Sequence, residues 1–523
     1  MPLAGAPGVG AASYEPRAME GTVLHRVVRE NFETFRAEIA ARTDGGGLPQ
    51  FVEREFRDFL TCGVLSRGFA RVRCEGCAFE HLVPFSCKRR GFCPSCGGRR
   101  MAELAAHLVD AVLPHVPVRQ WVLTLPYRLR YLLAWNHQLC RAVLAVHVRA
   151  VLGFYRRRAR RRGVPDGRGG AVTVIQRFGG GLQLNVHFHS LLLDGVFAEA
   201  ADGTLEFDPA DPPSEEDVAR LLATIRRRVL RLLARRGLAV EDAPDGDPLA
   251  EESPALAGIS SAAVQGRVAL GPRAGARVIQ IGREPDAPWV TSRGLSQAHL
   301  EGFDLHAAIT VAADDRTALE RLARYVLRPP VAQDRLALTP DGQVLLSLKA
   351  DWADGTTHLL FEPIEFLEKL AALTPRPRIN LVIYHGILAP HARARAQAVA
   401  RGPVTSSTQQ RPPVAKEPGA DAPRQTPEPS RVSTPEAPPQ ESRPRGPEKP
   451  RDWAWADLMR RVFDLDVLAC PRCGGRMSVI ATIEAGEVMR MILGHLGLPT
   501  EPPKPLPARS PPGAHDLFPD SPA

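Results

Sequence analysis

The chain has 523 residues, of which 44% are hydrophobic and 24% charged, proportions that are ordinary for a globular protein of two to four domains. Its formal net charge of +9 favours a polyanionic partner such as nucleic acid. The sequence contains no run of about 18 apolar residues and no secretion signal, so we expect a cytoplasmic protein without a membrane span.

The amino-terminal region is rich in helix-forming patterns. Residues 1–19 are expected to be disordered, and residues 20–110 are expected to form a helical zinc-binding domain. In LHRVVRENFETFRAEI the apolar residues recur three and four positions apart, which is the period of a helix with one buried face. A cysteine-rich block at residues 62–100 interrupts this pattern and predicts that the domain is built around metal.

Two Cys-x2-Cys pairs in this block predict a structural zinc site. The pairs are separated by 15 residues, and each turn can present two thiolates to one tetrahedral ion. We therefore predict one Zn²⁺ held by Cys74, Cys77, Cys93 and Cys96. Spacing alone does not decide whether one of these four is replaced by a nearby ligand, and the candidates are Cys62, Cys87 and His81.

Residues 111–170 are predicted to be a helical, basic connector. Its end, YRRRARRRG, has six arginines in seven positions, and charges this dense repel one another unless a counter-charge is present. DNA phosphates would supply that counter-charge, although a solvated helix end would carry the same residues. The predicted DNA-contacting residues are Arg156, Arg157, Arg158, Arg160, Arg161 and Arg162.

Residues 171–400 are predicted to form an α+β catalytic domain. AVTVIQRF and LQLNVHFHSLLLDG predict two strands joined by a glycine turn. His187 and His189 lie two positions apart in the second strand and therefore point to the same face. Two imidazoles on one face can hold a divalent metal, although a His-x-His pair in a strand is also often structural.

Tyr325 lies in a predicted helix, DDRTALERLARYVLR. Arg321 precedes it by four residues and Arg328 follows it by three, so both arginines share the face of the tyrosine. A phenol between two guanidinium groups forms an anion-binding surface with a nucleophile at its centre, and these arginines are predicted to contact DNA. The alternative is an ordinary amphipathic helix whose tyrosine covers the core.

The carboxyl-terminal part alternates low-complexity and ordered segments. Residues 401–450 contain 13 prolines in 50 residues and predict a disordered linker. Residues 451–498 carry a last Cys-x2-Cys pair, Cys470 and Cys473, which would supply two ligands of a second zinc site. His495 or another chain could complete that site. Residues 499–523 are again rich in proline and are expected to be disordered.

Several segments, in the same order, resemble the transposases of the insertion-sequence-91 family, and more narrowly its single-tyrosine, common-region branch. In the catalytic region the resemblance is carried by QRFGGGLQLNVHFHSLLLDGVF, LERLARYVLRPP, DGTTHLLFEPIEFLEKLAAL and IYHGILAP. SCKRRGFCPSC and the following RRMAELAAHL are similar to that family's amino-terminal zinc domain. DLDVLACPRCGGRM resembles its carboxyl-terminal knuckle.

This resemblance implies an endonuclease fold of the HUH (His-hydrophobic-His) type, in which a sheet is covered by helices. It implies that His187 and His189 hold a catalytic Mg²⁺ or Mn²⁺ and that Tyr325 is the nucleophile. HUH enzymes usually add a third polar metal ligand, and Gln176 and His306 are both candidates for it.

The implied activity is rolling-circle DNA transposition. A transposase of this type nicks and rejoins single-stranded DNA at transposon ends through a 5′-phosphotyrosine intermediate, and it would be bacterial and nucleoid-associated. Two-tyrosine members carry a second tyrosine where this chain has Pro329, which puts a two-tyrosine relay in doubt. A plasmid replication initiator or relaxase would use the same chemistry, and a non-catalytic zinc-dependent DNA-binding protein is the alternative of a different class. The sequence leaves the oligomeric state open.

Overall fold

The computed structural model describes residues 19–43, 46–238, 247–284, 296–400 and 455–509. The predicted linker at 401–450 lies outside the described residues, as does all but the last residue of the predicted disordered amino terminus. The described helices are α1 (Val23–Arg42), α2 (Gln50–Leu60), α3 (Pro94–Ala111), α4 (Tyr127–Trp135), α5 (His137–Arg161), α6 (Glu215–Ala234), α7 (Pro248–Glu252), α8 (Pro254–Val264), α9 (Arg316–Leu327), α10 (Pro363–Leu373), α11 (Arg395–Ala400), α12 (Trp455–Phe463) and α13 (Gly486–His495). The described strands are β1 (Phe69–Cys74), β2 (Glu80–Pro84), β3 (Val118–Thr124), β4 (Gly170–Phe178), β5 (Leu184–Leu193), β6 (Gly195–Glu199), β7 (Leu205–Pro209), β8 (Ile279–Ile281), β9 (Gln297–Leu300), β10 (Phe303–His306), β11 (Thr310–Val311), β12 (Leu336–Leu338), β13 (Val344–Ser347), β14 (His358–Phe361), β15 (Val382–Gly386) and β16 (Met477–Ile483).

The fold is α+β, as predicted, and a central antiparallel sheet organises it. The strand order of this sheet is β15-β4-β5-β3-β10-β9, and β11 pairs with the first residues of β3. The two strands expected on either side of the glycine turn are β4 and β5, and both are buried along almost their whole length. Such burial requires cover on both faces, which explains why these strands are nearly continuous apolar runs.

Side-chain alternation divides the residues of the sheet between two cores. Val174 and Leu191 point to the face that is covered by α3 and α9, where they pack with apolar residues of those helices. Ile175 and Phe188 point to the opposite face and join the larger core, which includes residues of α4, α5, α8 and α10. The histidine pair shares the face of Val174 and Leu191, because residues two apart in a strand point the same way.

Strand β3 corrects the prediction of a wholly helical connector at residues 111–170. It lies in the middle of the sheet and pairs with β5 on one side and β10 on the other. Its residues VRQWVLT are buried on both faces, so they lack the polar alternation that marks a half-buried strand. The helices α4 and α5 that follow it cover the sheet, so this region is part of the central fold and does not merely connect two domains.

Other departures from the predicted elements are smaller. The irregular sequence around residues 240–300, which is rich in Gly, Pro and Ala and favours loops and short strands, contains the helices α7 and α8. A second sheet has the strand order β12-β13-β14-β8, and β12 and β13 form a hairpin within it. None of the described helices is long and apolar enough to cross a membrane.

The carboxyl-terminal segment packs on the amino-terminal part of the chain. Strand β16 pairs with β1, and together with β2 they form a three-stranded sheet. Part of the tail that was predicted to be disordered also has a defined place, because the Leu506 N–H donates to the Arg29 carbonyl of α1 at 2.8 Å. Residues 510–523 lie outside the described residues. The amino-terminal module and residues 455–509 therefore pack together in one structural unit.

Candidate active site and metal centres

His187 and His189 converge on one point at the centre of the sheet. Both lie on β5, and their Nε2 atoms are 3.0 Å apart. Two ligands bound at right angles to one ion, with bonds of about 2.1 Å, would be separated by about 3.0 Å. The two imidazoles can therefore bind one divalent ion without rearrangement.

Each imidazole is held in place by a hydrogen bond at Nδ1, the ring nitrogen that does not face the other histidine. His187 Nδ1 lies 2.8 Å from the Asn185 carbonyl, which can only accept, so Nδ1 donates and Nε2 keeps its lone pair. His189 Nδ1 lies 2.8 Å from the side-chain amide of Gln120 on β3, whose Oε1 is buried without a hydrogen-bond partner. Rotating that amide would let its oxygen accept from His189 Nδ1–H, and both Nε2 atoms would then be free to bind metal.

Burial keeps both imidazoles neutral. Desolvation lowers the pKa of His187 to about 4 and the pKa of His189 to about 3. Burial is the largest cause of both shifts, and the positive charge of Arg328 contributes to each in the same direction. At neutral pH the rings therefore carry lone pairs, which is the protonation state that metal binding requires.

Gln176 lies directly opposite His187 in the neighbouring strand β4, so the two side chains share a face. Its Nε2 donates to the Val326 carbonyl of α9 at 3.1 Å, which fixes the side chain. Its Oε1 is buried and has no hydrogen-bond partner. An unpartnered amide oxygen beside two imidazoles fits the third ligand of a divalent ion.

His306, the other candidate for the third ligand, does not reach this point. It lies on β10 opposite Val122, which in turn lies opposite His189. Strand β3 therefore separates the two histidines by two interstrand spacings, about 10 Å. His306 fails as a ligand because sequence order gives no information on how many strands lie between two histidines.

Helix α9 places Tyr325 beside the histidine pair. Asp315 begins the helix by accepting a hydrogen bond from the Ala318 N–H at 2.8 Å, and the apolar face of the helix packs on the sheet. The Tyr325 ring centre is 6.1 Å from that of His189, with the two planes at 88°. Tyr325 remains 38% exposed, so it lies at the surface of the protein, where a macromolecular substrate can reach the residue.

Two cations lie over the Tyr325 ring. The Arg328 guanidinium carbon is 4.3 Å from the ring centre, and the Lys349 ammonium nitrogen is 4.7 Å from it. Arg321, which was expected to flank the tyrosine with Arg328, is exposed one turn earlier in the helix. The sequence does not predict a role for Lys349, because this residue follows β13 in a segment without a recognisable motif.

The first cysteine cluster consists of Cys62, Cys87, Cys93 and Cys96. The Sγ–Sγ distances are 3.4 Å for Cys87–Cys96 and 3.7 Å for Cys62–Cys96. A tetrahedral zinc with Zn–S bonds of about 2.3 Å places its sulfur atoms about 3.8 Å apart, whereas a disulfide would place them about 2.0 Å apart. The cluster therefore fits zinc, and it is buried in the larger core.

The second cluster joins the two ends of the chain. It consists of Cys74, Cys77, Cys470 and Cys473, with Sγ–Sγ distances of 3.5 Å for Cys74–Cys473 and 3.6 Å for Cys77–Cys470. Cys77 and Cys473 are exposed. The pairing of β1 with β16 brings the two Cys-x2-Cys turns together, so neither His495 nor a second chain is needed to complete the set.

The predicted zinc site of Cys74, Cys77, Cys93 and Cys96 is therefore wrong in its membership. Cys74 and Cys77 lie at the tip of the β1–β2 hairpin, whereas Cys62 and Cys87 flank its base. Six strand residues separate tip and base by about 20 Å, too far for one ion. The number of cysteines was a signal that two four-cysteine sites are possible, but it does not say which cysteines share a site; in the structure Cys140 is the one outside both sets.

Comparisons with known families agree with this architecture. Residues 27–125 match the model of the transposase zinc-binding domain of insertion-sequence-91 type, and residues 170–396 match the family described as "Putative transposase". Together the two matches cover more than half of the chain. The chain is a transposase of the insertion-sequence-91 family. No curated protein and no solved structure matches it.

The first cluster of the transposase touches the segment that follows Tyr325. Gly97 adjoins the cluster ligand Cys96, and a Cβ added to Gly97 would lie 2.7 Å from the Pro329 Cβ. A glycine is required here because the amino-terminal turn of α3 approaches Pro329 this closely. The folded cluster therefore supports the end of the helix that carries Tyr325.

The carboxyl-terminal segment reaches the same helix from another side. Arg461 on α12 forms ion pairs with Asp110 of α3 and Glu320 of α9, each at 2.6 Å. Arg324 of α9 donates to the Val462 carbonyl at 3.4 Å. Helix α12 thus links the zinc-bearing helix to the tyrosine helix.

The arginine run of the transposase lies away from the histidine pair. Helix α5 covers the opposite face of the sheet, where its His147 ring stacks on Phe188. Arg158 is paired with Asp217 and Arg162 with Asp208, so intramolecular carboxylates supply part of the counter-charge that was expected from DNA. The other four arginines of the run are exposed, and their contact with DNA remains a prediction.

Proposed function

We propose that this transposase nicks and rejoins single-stranded DNA through a 5′-phosphotyrosine at Tyr325, in the manner of a single-tyrosine HUH rolling-circle enzyme. The observation that carries the proposal is the convergence of His187 and His189, with Nε2 atoms 3.0 Å apart, beside the exposed phenol of Tyr325. A metal-binding site next to an accessible nucleophile suits metal-assisted transfer of a phosphate to a side chain.

His187, His189 and Gln176 would hold a Mg²⁺ or Mn²⁺ ion. Two neutral imidazoles and the Gln176 side-chain oxygen, which has no hydrogen-bond partner, lie on one face of adjacent strands. Nitrogen and oxygen ligands of this kind fit such an ion. When bound, the ion would polarise a non-bridging oxygen of the scissile phosphate and neutralise its charge.

The residues of the chain account for the covalent step. The Tyr325 oxygen attacks phosphorus, the Tyr325 O–P bond forms, and the bond from phosphorus to the 3′ oxygen of the leaving strand breaks. One proton leaves the phenol and one is taken up by the 3′ oxygen, so the proton count is unchanged. Because the phosphotyrosine retains the bond energy, a 3′ hydroxyl of another strand can reverse the reaction without ATP.

Arg328 and Lys349 are placed to bind the scissile phosphate. Their charged groups are 4.3 Å and 4.7 Å from the Tyr325 ring centre, so a phosphate at the phenol would meet both cations. Charge-assisted hydrogen bonds of this kind both orient the phosphate and stabilise the charge that develops on it. This arrangement makes the face of α9 the substrate side of the site.

The proposal is tested by trapping a covalent adduct on a single-stranded oligonucleotide that carries a transposon end. Wild-type protein with Mn²⁺ should form the adduct, and Tyr325→Phe should form none while binding the oligonucleotide as before, because Phe keeps the ring and removes the attacking atom. Tyr384→Phe is the matched control. Tyr384 lies on β15 under Arg395, 5.7 Å from its ring centre, and burial raises its pKa, so it is a poor nucleophile.

If Tyr325→Phe still formed the adduct and Tyr384→Phe did not, the nucleophile would be Tyr384, and the proposed enzyme class would be unchanged. His187→Ala and His189→Ala should also stop cleavage. Excess Mn²⁺ should restore part of the activity of one of these single variants and none of the activity of Tyr325→Phe. If none of these changes matters, the HUH proposal fails.

A plasmid replication initiator or relaxase would use the same chemistry. The two family matches favour a transposase, and the presence of the gene beside a recurrent DNA end would support it. A non-catalytic zinc-dependent DNA-binding protein would bind the oligonucleotide and form no adduct under any metal condition.

A further inference from the structure

A cavity of about 660 Å³ opens between the zinc-bearing module and the edge of the catalytic sheet. One wall is formed by α2 and by residues 88–91 and 97–104 around the first cysteine cluster. The other wall is formed by β4, by the end of α9 and by residues 375–382. Pockets of this size enclose small ligands, so this cavity, which we call the cluster groove, has room for a short piece of one strand.

The cluster groove is strongly cationic. Nine of its lining residues are lysine or arginine, and one, Glu55, is acidic. The Glu55 carboxylate is engaged in the wall, where it accepts from the Gly91 N–H at 2.7 Å. A concave surface with this charge balance focuses a positive potential and attracts a polyanion.

Several of these cations have no acidic partner. Arg89 pairs with Asp58 and Arg376 with Glu252 outside the groove. Arg54, Arg90 and Arg378 are exposed, and among residues 19–43, 46–238, 247–284, 296–400 and 455–509 none of them forms an ion pair. Like charges that line one cavity repel one another, and an anionic occupant would relieve that repulsion.

The groove also offers ring surfaces beside these charges. Phe51 lines one wall and Phe178 the other, and the Arg328 guanidinium carbon lies 5.4 Å from the Phe178 ring centre. Phe178 is buried and has Arg328 over its ring, so the half-buried Phe51 is the ring on which a base could stack. Cations that follow the backbone beside such a ring are features that hold single-stranded nucleic acid. Inorganic phosphate alone would not need the rings.

The groove reaches the active site. Gln176 and Arg328 line it, and these are a candidate metal ligand and a cation over Tyr325. Because the groove and the site share these two residues, a strand whose scissile phosphate lies at Tyr325 would lie beside the groove.

We propose that the cluster groove binds the single DNA strand immediately next to the scissile phosphate. The inference rests on the proposed function in one respect, namely which nucleotides of the strand lie in the groove. Binding of a strand by the groove can be measured without cleavage. In this arrangement the first cysteine cluster shapes one wall of the substrate site in addition to stabilising the fold.

The test uses full-length, zinc-loaded protein without added Mg²⁺ or Mn²⁺, so that binding is measured apart from cleavage. Arg90→Gln/Arg378→Gln removes one unpaired cation from each wall. Arg227→Gln/Arg228→Gln is the matched control, because these exposed arginines lie on α6, which packs on β9 and β10 at the other edge of the sheet. Both pairs are exposed, so neither change should alter folding.

We expect the groove variant to lower the slope of log affinity against log salt by about 1.4, since each lost contact to a single strand lowers it by about 0.7. The control should leave the slope unchanged. Replacing single phosphates of the oligonucleotide with uncharged methylphosphonates should weaken wild-type binding at a few consecutive positions on one side of the scissile bond. At those positions the loss of affinity caused by the methylphosphonate should be smaller in the groove variant than in wild-type protein. The difference between the two losses should be roughly 2- to 100-fold, the range for groups in direct contact.

Equal slopes for the groove variant and the control, or a methylphosphonate effect that the groove variant leaves intact, would overturn the groove proposal. If wild-type protein formed no adduct while the groove variant still lowered the salt dependence of binding, the proposed function would be overturned and the groove proposal would not. Cleavage by wild-type and groove variant at equal rates and equal affinities would overturn the groove alone.

Discussion

The two cysteine clusters of this transposase share their ligand chemistry and differ in everything around it. The first is made from ligands within 35 residues of sequence, and its cysteines belong to the large core. The second joins residues nearly 400 positions apart, and two of its four cysteines are exposed. The first therefore lies inside the core of the zinc module, whereas the second joins the β1–β2 hairpin to the carboxyl-terminal segment.

The clusters also differ in their relation to Tyr325. Gly97, next to a ligand of the first cluster, lies against Pro329, which follows the helix that carries Tyr325. Residues around the same cluster line the cluster groove. The second cluster is linked to this helix through the attached segment, by the Arg461–Glu320 ion pair and by the hydrogen bond from Arg324 to the Val462 carbonyl. Four substitutions test this difference, from the largest expected effect to the smallest.

Cys96→Ser should have the largest effect. Structural zinc contributes about 10–16 kcal/mol in small zinc domains, so loss of the first site should unfold the amino-terminal module. Metal analysis should fall from two zinc ions per chain to one, and calorimetry should show that the module no longer melts cooperatively. Cys140→Ala, which removes a buried thiol outside both clusters, should keep two ions. Retention of two ions by Cys96→Ser would refute the ligand set.

Cys473→Ser should also remove one zinc ion, with a smaller consequence. The ligand is exposed and belongs to a segment that follows the main core, so the catalytic sheet should stay folded while β16 and α12 detach. Limited proteolysis should then cut between residues 455 and 500 much faster than in wild-type protein. Unfolding as complete as in Cys96→Ser would show that the two clusters form one cooperative unit.

Gly97→Ala should lower cleavage without loss of zinc. The added Cβ would lie 2.7 Å from the Pro329 Cβ, and overpacking of this kind costs about 1–3 kcal/mol or displaces the end of α9. Gly98→Ala is the control, because its Cβ meets no atom within 4 Å and alanine favours a helix over glycine. Equal cleavage rates for the two variants would show that the first cluster does not position Tyr325.

Arg461→Met should have the smallest effect. The substitution removes the ion pairs to Asp110 and Glu320 and keeps much of the side-chain volume, and partly exposed pairs contribute about 1 kcal/mol or less. Proteolysis of the carboxyl-terminal segment should accelerate a few-fold, and both zinc ions should remain bound. Loss of the second zinc in this variant would mean that α12, and not the thiolates, holds the segment in place.

Local sequence was sufficient for features that depend on neighbouring residues. The alternation of β5 predicted that His187 and His189 share a face, and the spacing of apolar residues predicted the helix that carries Tyr325. The α+β class followed from the same periodicities. These features depend on backbone geometry over one or two turns, which the order of residues determines directly.

Only the tertiary structure decided which distant residues meet. It placed Gln176 and not His306 beside the histidines, because strand order is not written in the sequence. It brought Lys349 over Tyr325, and it divided eight cysteines between two clusters by fixing the length of a hairpin and pairing β1 with β16. Such contacts depend on strand pairing and packing across hundreds of residues, which are set by burial of the whole chain and leave no periodic signal in any one segment.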